Sequence, residues 1–198
     1  QNKKLFQVNH LAFSIKNKEL LTDINFDIYK GERLLLLGEN GSGKTTMLRL
    51  LSRLNKPTGG TIEQMINPRF RNNYHGKKWF NDIGIVYQNP NYQLFMPTVE
   101  KEVAFNAISR EYANEIIKMF GLEHIKNRHP QSLSEGQKRR VSIAAVVAGT
   151  PKVLFLDEPT VGQDYNGFCE LVSILNELHN KSGNTMITIT HDMRCAEA

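Results

Sequence analysis

One stretch of the chain, Gly38-Glu39-Asn40-Gly41-Ser42-Gly43-Lys44-Thr45, matches the pattern G-x-x-x-x-G-K-[ST] at every fixed position. Glycines let the backbone turn tightly and place successive N–H groups around a phosphate, and a helix start adds a positive dipole end. Lys44 would bring a positive charge to the β- and γ-phosphates, and Thr45 a hydroxyl to Mg²⁺. We therefore expect Gly38 to Thr46 to bind a nucleoside triphosphate.

The segments on either side of this loop have the character that it requires. Arg33–Leu37 is short and apolar, as a buried parallel strand should be. Thr46–Leu54 carries apolar residues at helical spacing. These residues are Met47, Leu50, Leu51 and Leu54. The pattern predicts a strand, a glycine loop and a helix in that order.

Three more apolar segments are each followed by a polar residue that could do chemistry. Ile83–Tyr87 leads to Gln88, Lys152–Leu156 leads to Asp157 and Glu158, and Thr185–Ile189 precedes His191. Strands that alternate with helices predict a mainly parallel sheet with right-handed crossovers, in which ligands bind beyond the carboxyl ends of the strands. We expect all four strand ends to meet at one edge.

The chemistry of these residues suits phosphoryl transfer. Asp157 is placed to steady Mg²⁺, and Glu158 could orient or deprotonate the attacking water. The amide of Gln88 could contact Mg²⁺ and report on the γ-phosphate, and His191 could contact the γ-phosphate. The alternative is that these residues have no chemical role. Asp157 and Glu158 would then be two solvated acids in a turn, Gln88 an ordinary glutamine at a strand end, and His191 an ordinary loop histidine.

The rest of the chain predicts an α/β protein with two further parts. Alternating or clustered apolar residues predict an antiparallel β opening, with strands at Lys3–Val8, Leu11–Ile15 and Ile24–Ile28 and a turn at Asn9-His10. Beyond the helix that follows the glycine loop, patterns typical of helices occur at four further places in the chain. The predicted helices are Val99–Ser109, Arg110–Phe120, Lys138–Ala148 and Phe168–His179.

Composition excludes several classes of protein. The 198 residues suffice for one domain, and no apolar run approaches the roughly 20 residues of a membrane helix. The net charge of +5 comes from scattered basic residues, which favours a solvated surface over a nucleic-acid interface. Cys169 and Cys195 lack metal-ligand spacing and fit a reducing compartment.

A second motif identifies a family. Leu133-Ser134-Glu135-Gly136-Gln137 resembles the LSGGQ signature of the ATP-binding cassette (ABC) ATPases, and the order of the motifs along the whole chain also matches. The resemblance implies a P-loop NTPase fold with a helical signature subdomain at about residues 90–150, inside one ABC ATPase domain spanning residues 1–198. It implies ATP and Mg²⁺ as ligands, with Glu158 polarising the attacking water and His191 contacting the γ-phosphate.

The same resemblance implies a dimer of cassettes. Ser134, Gly136 and Gln137 would cap the nucleotide of the opposite subunit, and Asp164 occupies the place of the D-loop aspartate. A serine hydroxyl, a glycine N–H and the start of a helix at Lys138 make an anion site. Two nucleotides would then lie in a head-to-tail dimer, either homodimer or heterodimer.

One stretch resembles a particular subclass of this family. Tyr87–Phe95 is similar to the Q-N-P-x-x-Q-x-F segment of the energy-coupling-factor importers, which take up vitamins and transition-metal ions, and Thr98–Phe105 also resembles them. The resemblance implies partners in a transmembrane coupling protein and a substrate-binding membrane component, and a location at the cytoplasmic face of the membrane. Gln93 and Phe95 are then candidates to face a partner, with simple packing of Leu94 and Phe95 as the alternative.

Some positions depart from the family pattern. Ile15 stands where an aromatic residue usually stacks on adenine, so stacking should be weaker or supplied by Phe13 or another residue. Glu135 replaces a signature glycine, and Asn106–Gly121 is short for the helical subdomain. The resemblance also implies a C-terminal portion beyond His191, which would make the chain a fragment or one half of a tandem ATPase.

Two other functions compete with the importer motor. A soluble ABC ATPase acting on nucleic acid or ribosomes would be favoured by coiled-coil heptads or a tandem linker, and neither is present. A regulatory cassette that binds ATP without turnover would be expected to lack Glu158 or His191, and both are present.

Overall fold

The computed structural model describes residues 3–66 and 82–196. Over these residues the strands are β1 (Lys4–Ile15), β2 (Lys18–Tyr29), β3 (Arg33–Leu37), β4 (Gly59–Gln64), β5 (Ile83–Val86), β6 (Val153–Asp157) and β7 (Thr185–Thr190). The α-helices are α1 (Lys44–Leu51), α2 (Val99–Phe105), α3 (Arg110–Met119), α4 (Glu135–Val147) and α5 (Tyr165–Ser182). The mixed α/β prediction, with one antiparallel and one parallel sheet, is confirmed.

The parallel sheet positions the site. Its strand order is β3-β7-β6-β5, and every pair of neighbours runs parallel. The carboxyl ends of all four strands therefore lie at one edge, as predicted. The apolar character of the strands explains why they lie inside the fold. Strand β6 is buried throughout, so it needs neighbouring strands on both sides and packed layers on both faces of the sheet.

The two faces of this sheet pack against different layers. Val153 and Phe155 join a core with the antiparallel sheet and α1, where the rings of Phe6 and Phe155 meet edge to face at 6.2 Å. Leu154 and Leu156 join a second core with α2 to α5. The alternation follows from the two-residue period of a strand.

The antiparallel sheet, in the order β2-β1-β4, corrects one prediction. Asn9-His10 is not a turn between two strands. It is an irregularity inside the 12-residue β1, where His10 has φ 48° and the pairing register shifts between Val8 and Leu11. The backbone N–H of His10 donates to the Asn25 side chain at 2.7 Å, which fastens the irregularity to β2.

Several helix boundaries also differ from the predicted ones. Helix α1 ends at Leu51, and Leu54 is 41% exposed instead of buried. Helix α2 ends at Phe105, four residues before the predicted end at Ser109. Helix α4 begins at Glu135, three residues before the predicted start at Lys138, because a side-chain cap at Ser134 stabilises the earlier turn.

Candidate functional site

The glycine loop between β3 and α1 has a backbone that only glycines adopt without strain. Gly41 and Gly43 have φ of 84° and 90°, and Gly43 is the N-cap of α1. A Cβ at Gly43 would lie 3.0 Å from Cδ2 of Leu21, so both the conformation and the space require glycine. The first N–H groups of α1 have no intrahelical partner, which leaves them available to an anion.

Lys44 lies along this loop. Its ammonium group donates to the carbonyl oxygen of Gly38, to that of Glu39 at 2.7 Å, and to Oγ of Ser42 at 3.4 Å. The charge is thus held within the loop, among the exposed residues Glu39 to Ser42. Thr46, also in the first turn of α1, is half-buried. The loop combines a fixed positive charge with free backbone donors, the combination that a phosphate requires.

Thr45 and Asp157 meet across the sheet edge. The hydroxyl of Thr45 donates to both carboxylate oxygens of Asp157 at 3.4 Å. Burial raises the pKa of Asp157, and the charge of Glu158 adds to this, while Thr45 and the charges of Arg139 and Arg49 act in the opposite direction. An alcohol and a carboxylate side by side form an oxygen donor set that fits Mg²⁺.

These two residues can supply only part of a magnesium coordination shell. Within residues 3–66 and 82–196, no group of three or more His, Cys, Asp or Glu residues could hold a metal ion. Mg²⁺ is commonly bound by one or two protein oxygens together with water and substrate phosphates. Thr45 and Asp157 match that mode of binding.

Glu158 is held by the end of the neighbouring strand β7. Its carboxylate accepts from the hydroxyl of Thr190 at 2.9 Å and from the backbone N–H of His191 at 3.1 Å, and it lies 2.9 Å from Nδ1 of His191. The Glu158 backbone has φ 50°, a strained conformation for a residue with a side chain. The predicted pair Glu158 and His191 is therefore in direct contact, and Thr190 is a further member that the sequence pattern did not single out.

Gln88 follows the fourth strand end. It is exposed and lies two residues beyond Val86, which pairs with Leu156 of β6. The backbone there is fastened by Gln93, whose side chain accepts from the N–H of Tyr87 at 2.9 Å and donates to the carbonyl of Ile85 at 2.6 Å. Gln93 thus uses its amide inside the chain, which differs from the expectation that it faces a partner.

The signature residues form the start of α4. Ser134 is the N-cap, and its hydroxyl accepts from the N–H of Gln137, while the Gln137 side chain accepts from the N–H of Ser134. Gly136 packs against the backbone of Gly162, where an added Cβ would lie 2.8 Å from the carbonyl oxygen. Across the described ranges, no hydrogen bond joins these residues to the glycine loop of the same chain.

Asp164 has a local role of the same kind. Its carboxylate accepts from the N–H of Gly167 at 2.7 Å and caps the start of α5. Asp164 is therefore held at a helix start, next to the loop that follows Glu158.

Ile15 and Phe13 are the two residues considered for contact with the adenine ring, and they differ in exposure. Ile15, at the end of β1, is 49% exposed and available for contact. Phe13 is 8% exposed and belongs to the core between the two sheets, so the suggestion that Phe13 supplies the stacking is wrong.

Arg139 is a buried charge that the sequence motifs did not indicate. One guanidinium nitrogen donates to the carbonyl of Tyr87 at 3.4 Å, and Nε has no hydrogen-bond partner among the residues that the structure describes. Burial lowers its pKa, whereas the negative charges of Glu135, Asp157 and Glu158 act against that shift. Arg139 thus bonds the signature helix to the backbone beside Gln88, where the charges of the two acids act on it.

None of the helices in the described part of the chain is long and apolar enough to cross a membrane.

Comparison with protein families and curated proteins is consistent with this geometry. The family described as "ABC transporter" matches residues 21–161. A putative ABC transporter ATP-binding protein of Clostridium acetobutylicum is 36% identical over 98% of this chain and 85% of its own length. A putative HMP/thiamine import ATP-binding protein of Bacillus subtilis is 36% identical over 96% of this chain. The chain spans about a third of the length of several such relatives, including one of Bacillus cereus that is 38% identical.

Solved structures show the same fold. CbiO1 from Clostridium perfringens, part of the ABC transporter complex CbiONQ, superimposes with a TM-score of 0.82 and 36% identity over 96% of this chain and 79% of CbiO1. The ATP-binding cassette MJ0796, as a dimer bound to ADP and phosphate, superimposes with a TM-score of 0.81 and 28% identity over 97% of this chain and 90% of MJ0796.

Proposed function

Because this chain belongs to the family of ABC transporter ATPases, we propose that it hydrolyses Mg-ATP as the motor subunit of a membrane importer. The observation that carries the proposal is the single sheet edge that presents Lys44, Thr45, Asp157 and Glu158 together. A phosphate-binding loop, a magnesium donor set and a second carboxylate are the parts that phosphoryl transfer to water needs.

Each residue at this edge has a separate role. The loop from Gly38 to Thr46 binds the phosphates, and Lys44 offsets their charge. Thr45 and Asp157 would hold Mg²⁺, which would neutralise phosphate charge when bound. Glu158 orients the attacking water and accepts its proton.

His191 and Gln88 complete the site from the neighbouring strand ends. The imidazole of His191 touches the Glu158 carboxylate. We assign to His191 the contact with the γ-phosphate. Gln88, two residues beyond the end of β5, would be the residue to contact the Mg²⁺ shell and to respond to its presence.

A second chain completes the phosphate surface. Ser134 is exposed, and Gly136 and Gln137 are half-buried in the first turn of α4. They make no hydrogen bond to the glycine loop of their own chain within the described ranges. We propose that this turn, with Asp164 beside it, faces the nucleotide of a partner cassette in a head-to-tail dimer. The known dimer of MJ0796, whose fold this chain shares, supports the proposal.

The importer type is proposed from one surface and two relatives. Phe95 and Phe105 are 67% and 59% exposed, and their rings meet edge to face at 5.9 Å. Exposed aromatic pairs of this kind are costly in water and are common at interfaces. Together with the similarity to CbiO1 and to a putative thiamine-type import protein, the pair supports an energy-coupling-factor importer for vitamins or transition-metal ions.

In this proposal the pair docks a transmembrane coupling protein, a separate membrane component binds the substrate, and the chain works at the cytoplasmic face of the membrane. The interpretation of residues 1–198 as one ABC ATPase domain, with its helical subdomain at about 90–150, stays a prediction.

A phosphate-release assay tests the enzymatic part. The wild-type chain should release phosphate from ATP only with Mg²⁺, and Glu158→Gln should lower kcat by at least about a hundredfold while ATP binding persists. Lys44→Ala should lose binding itself. Equal turnover in Glu158→Gln and wild type would show that another group activates the water.

A further inference from the structure

We propose that Gln163 is a positioning residue that fastens the signature turn of α4 to the loop after Glu158, so that the two move as one unit. The inference rests on the proposed ATPase function, because it assigns a step of that reaction to a residue outside the sheet edge. Gln163 lies five residues after Glu158 and is half-buried.

Both ends of the Gln163 amide are used between elements. Its Nε2 donates to the carbonyl oxygen of Gly136 at 2.9 Å, and its Oε1 accepts from Nε of Arg140 at 3.2 Å. Gly136 and Arg140 are one turn apart on α4. A single side chain thus bonds to two points of the signature helix, which restrains both its distance and its rotation.

The backbones meet at the same place. Gly136 approaches Gly162 so closely that a Cβ on Gly136 would lie 2.8 Å from the Gly162 carbonyl oxygen and 3.1 Å from Nε2 of Gln163. Gly162 itself has φ 82°. Contact between two glycine backbones leaves no flexible side chain to absorb a displacement, so a shift of one loop moves the other.

A short run of hydrogen bonds leads from this contact back to Glu158. The N–H of Gln163 donates to the carbonyl of Thr160 at 3.2 Å, and the N–H of Val161 donates to the carbonyl of Glu158 at 3.3 Å. Two consecutive turns therefore connect the backbone of Glu158 to the residue that holds Gly136. The path is short, local and continuous.

The far side of the contact is anchored to α5. Arg140 donates to the carbonyl of Gly167 at 3.1 Å and forms an ion pair with Glu170 at 2.9 Å. Arg140 is mostly buried, and its guanidinium therefore holds a defined position from which to bind Gln163. We name the set Gln163, Gly136, Gly162 and Arg140 the signature clasp.

The clasp has a consequence for the reaction. Glu158 acts on the nucleotide of its own chain, whereas the signature turn faces the nucleotide of the partner. A rigid connection between them makes the position of Glu158 depend on whether the partner site is closed. Loss of the clasp should leave ATP binding intact and impair the chemical step.

The test uses Gln163→Leu, which removes both bonds, and Gln163→Glu, which keeps an acceptor for Arg140 but loses the donor to Gly136. The control is Gln64→Leu, which removes a similar bond from a glutamine Nε2 to the Leu51 carbonyl in the antiparallel part of the fold. The readouts are kcat, the KM for ATP, Tm, and hydrogen–deuterium exchange of residues 134–138 and 159–164.

Both Gln163 variants should lower kcat by about tenfold with the KM for ATP changed less than about twofold. Gln64→Leu should lower Tm and leave kcat unchanged. Wild-type kcat in either Gln163 variant, with an active wild type, would overturn the clasp. An inactive wild type would instead overturn the proposed function. In that case faster exchange in both segments of Gln163→Leu, but not of Gln64→Leu, supports the clasp, and unchanged exchange overturns it.

Discussion

At the scale of single residues, the end of β6 carries two acids whose surroundings differ. Asp157 lies against Thr45 with its pKa raised chiefly by burial. Glu158 is bonded to Thr190 and His191. A buried carboxylate that is costly to ionise is a good site for a divalent cation, since the cation removes the cost.

The raised pKa of Asp157 makes a prediction about stability. The ordinary value is 3.8, so as pH rises from there through the higher folded-state pKa the folded chain binds more protons than the unfolded chain, and the free energy of unfolding decreases. Asp157→Asn removes this titration. Without Mg²⁺, its Tm should exceed that of wild type near neutral pH, and the difference should vanish at low pH.

Calorimetry from about pH 4 to about pH 8 with a chelator present measures this difference. With Mg-ATP the order should reverse, because only the wild type gains stability from the bound ion. A variant that is less stable than wild type at neutral pH without Mg²⁺ would show that the ionised Asp157 stabilises the fold.

At the scale of elements, α4 and α3 both begin with a serine N-cap, and only the cap of α4 adds the reciprocal bond of a capping box. Ser134 caps α4 by accepting from the N–H of Gln137 at 3.3 Å, and Ser109 caps α3 by accepting from the N–H of Tyr112 at 3.1 Å. In each helix the serine hydroxyl makes one bond to the backbone N–H three residues further on. Only the first lies in the turn that we propose to face a nucleotide.

Ser134→Ala and Ser109→Ala form a matched pair because of this likeness. Each should lower the free energy of unfolding by about 1 kcal/mol, measured by urea titration. Only Ser134→Ala should also lower kcat, by about tenfold or more, because it removes a hydroxyl from the anion site. An equal loss of activity in both variants would reduce the role of Ser134 to helix stability.

At the scale of the whole molecule, our proposal places the glycine loop and the signature turn on different phosphate surfaces. We expect ATP to join two chains and hydrolysis to separate them, a closure and opening of rigid bodies. Glu158→Gln should preserve the joined state because it binds ATP and does not consume it.

Light scattering of Glu158→Gln with and without ATP and Mg²⁺ measures this association. The mass should double when both are present and stay that of one chain with ADP. A chain that binds ATP and stays monomeric would indicate that its partner is a different cassette.

The Phe95 and Phe105 pair makes the second prediction at this scale. Phe95→Asp and Phe105→Asp should each weaken binding to a purified transmembrane coupling protein of an energy-coupling-factor importer by about tenfold or more. Leu54→Asp, which changes an exposed apolar residue after α1, is the control and should bind normally. Unchanged binding in the Phe variants would place the membrane partner on another surface.

The sequence alone was enough to predict the glycine loop, the four strand ends and their common edge. These predictions depend on local patterns, namely apolar runs, glycines and the order of motifs, and on a general rule for parallel sheets. They identified Asp157, Glu158 and His191 as site residues but gave no distances between their side chains. The same patterns failed at His10 and at the start of α4, where a side chain from another strand and a helix cap decided the boundary.

Only the tertiary structure decided which partners these residues have. The bonds from Thr190 to Glu158 and from Gln163 to Gly136 join residues that are 32 and 27 positions apart. The burial of Phe13 likewise depends on which face of β1 meets the core. Spacing along a chain specifies which residues share a strand or a helix face, but contacts between elements arise from packing, which no local pattern contains.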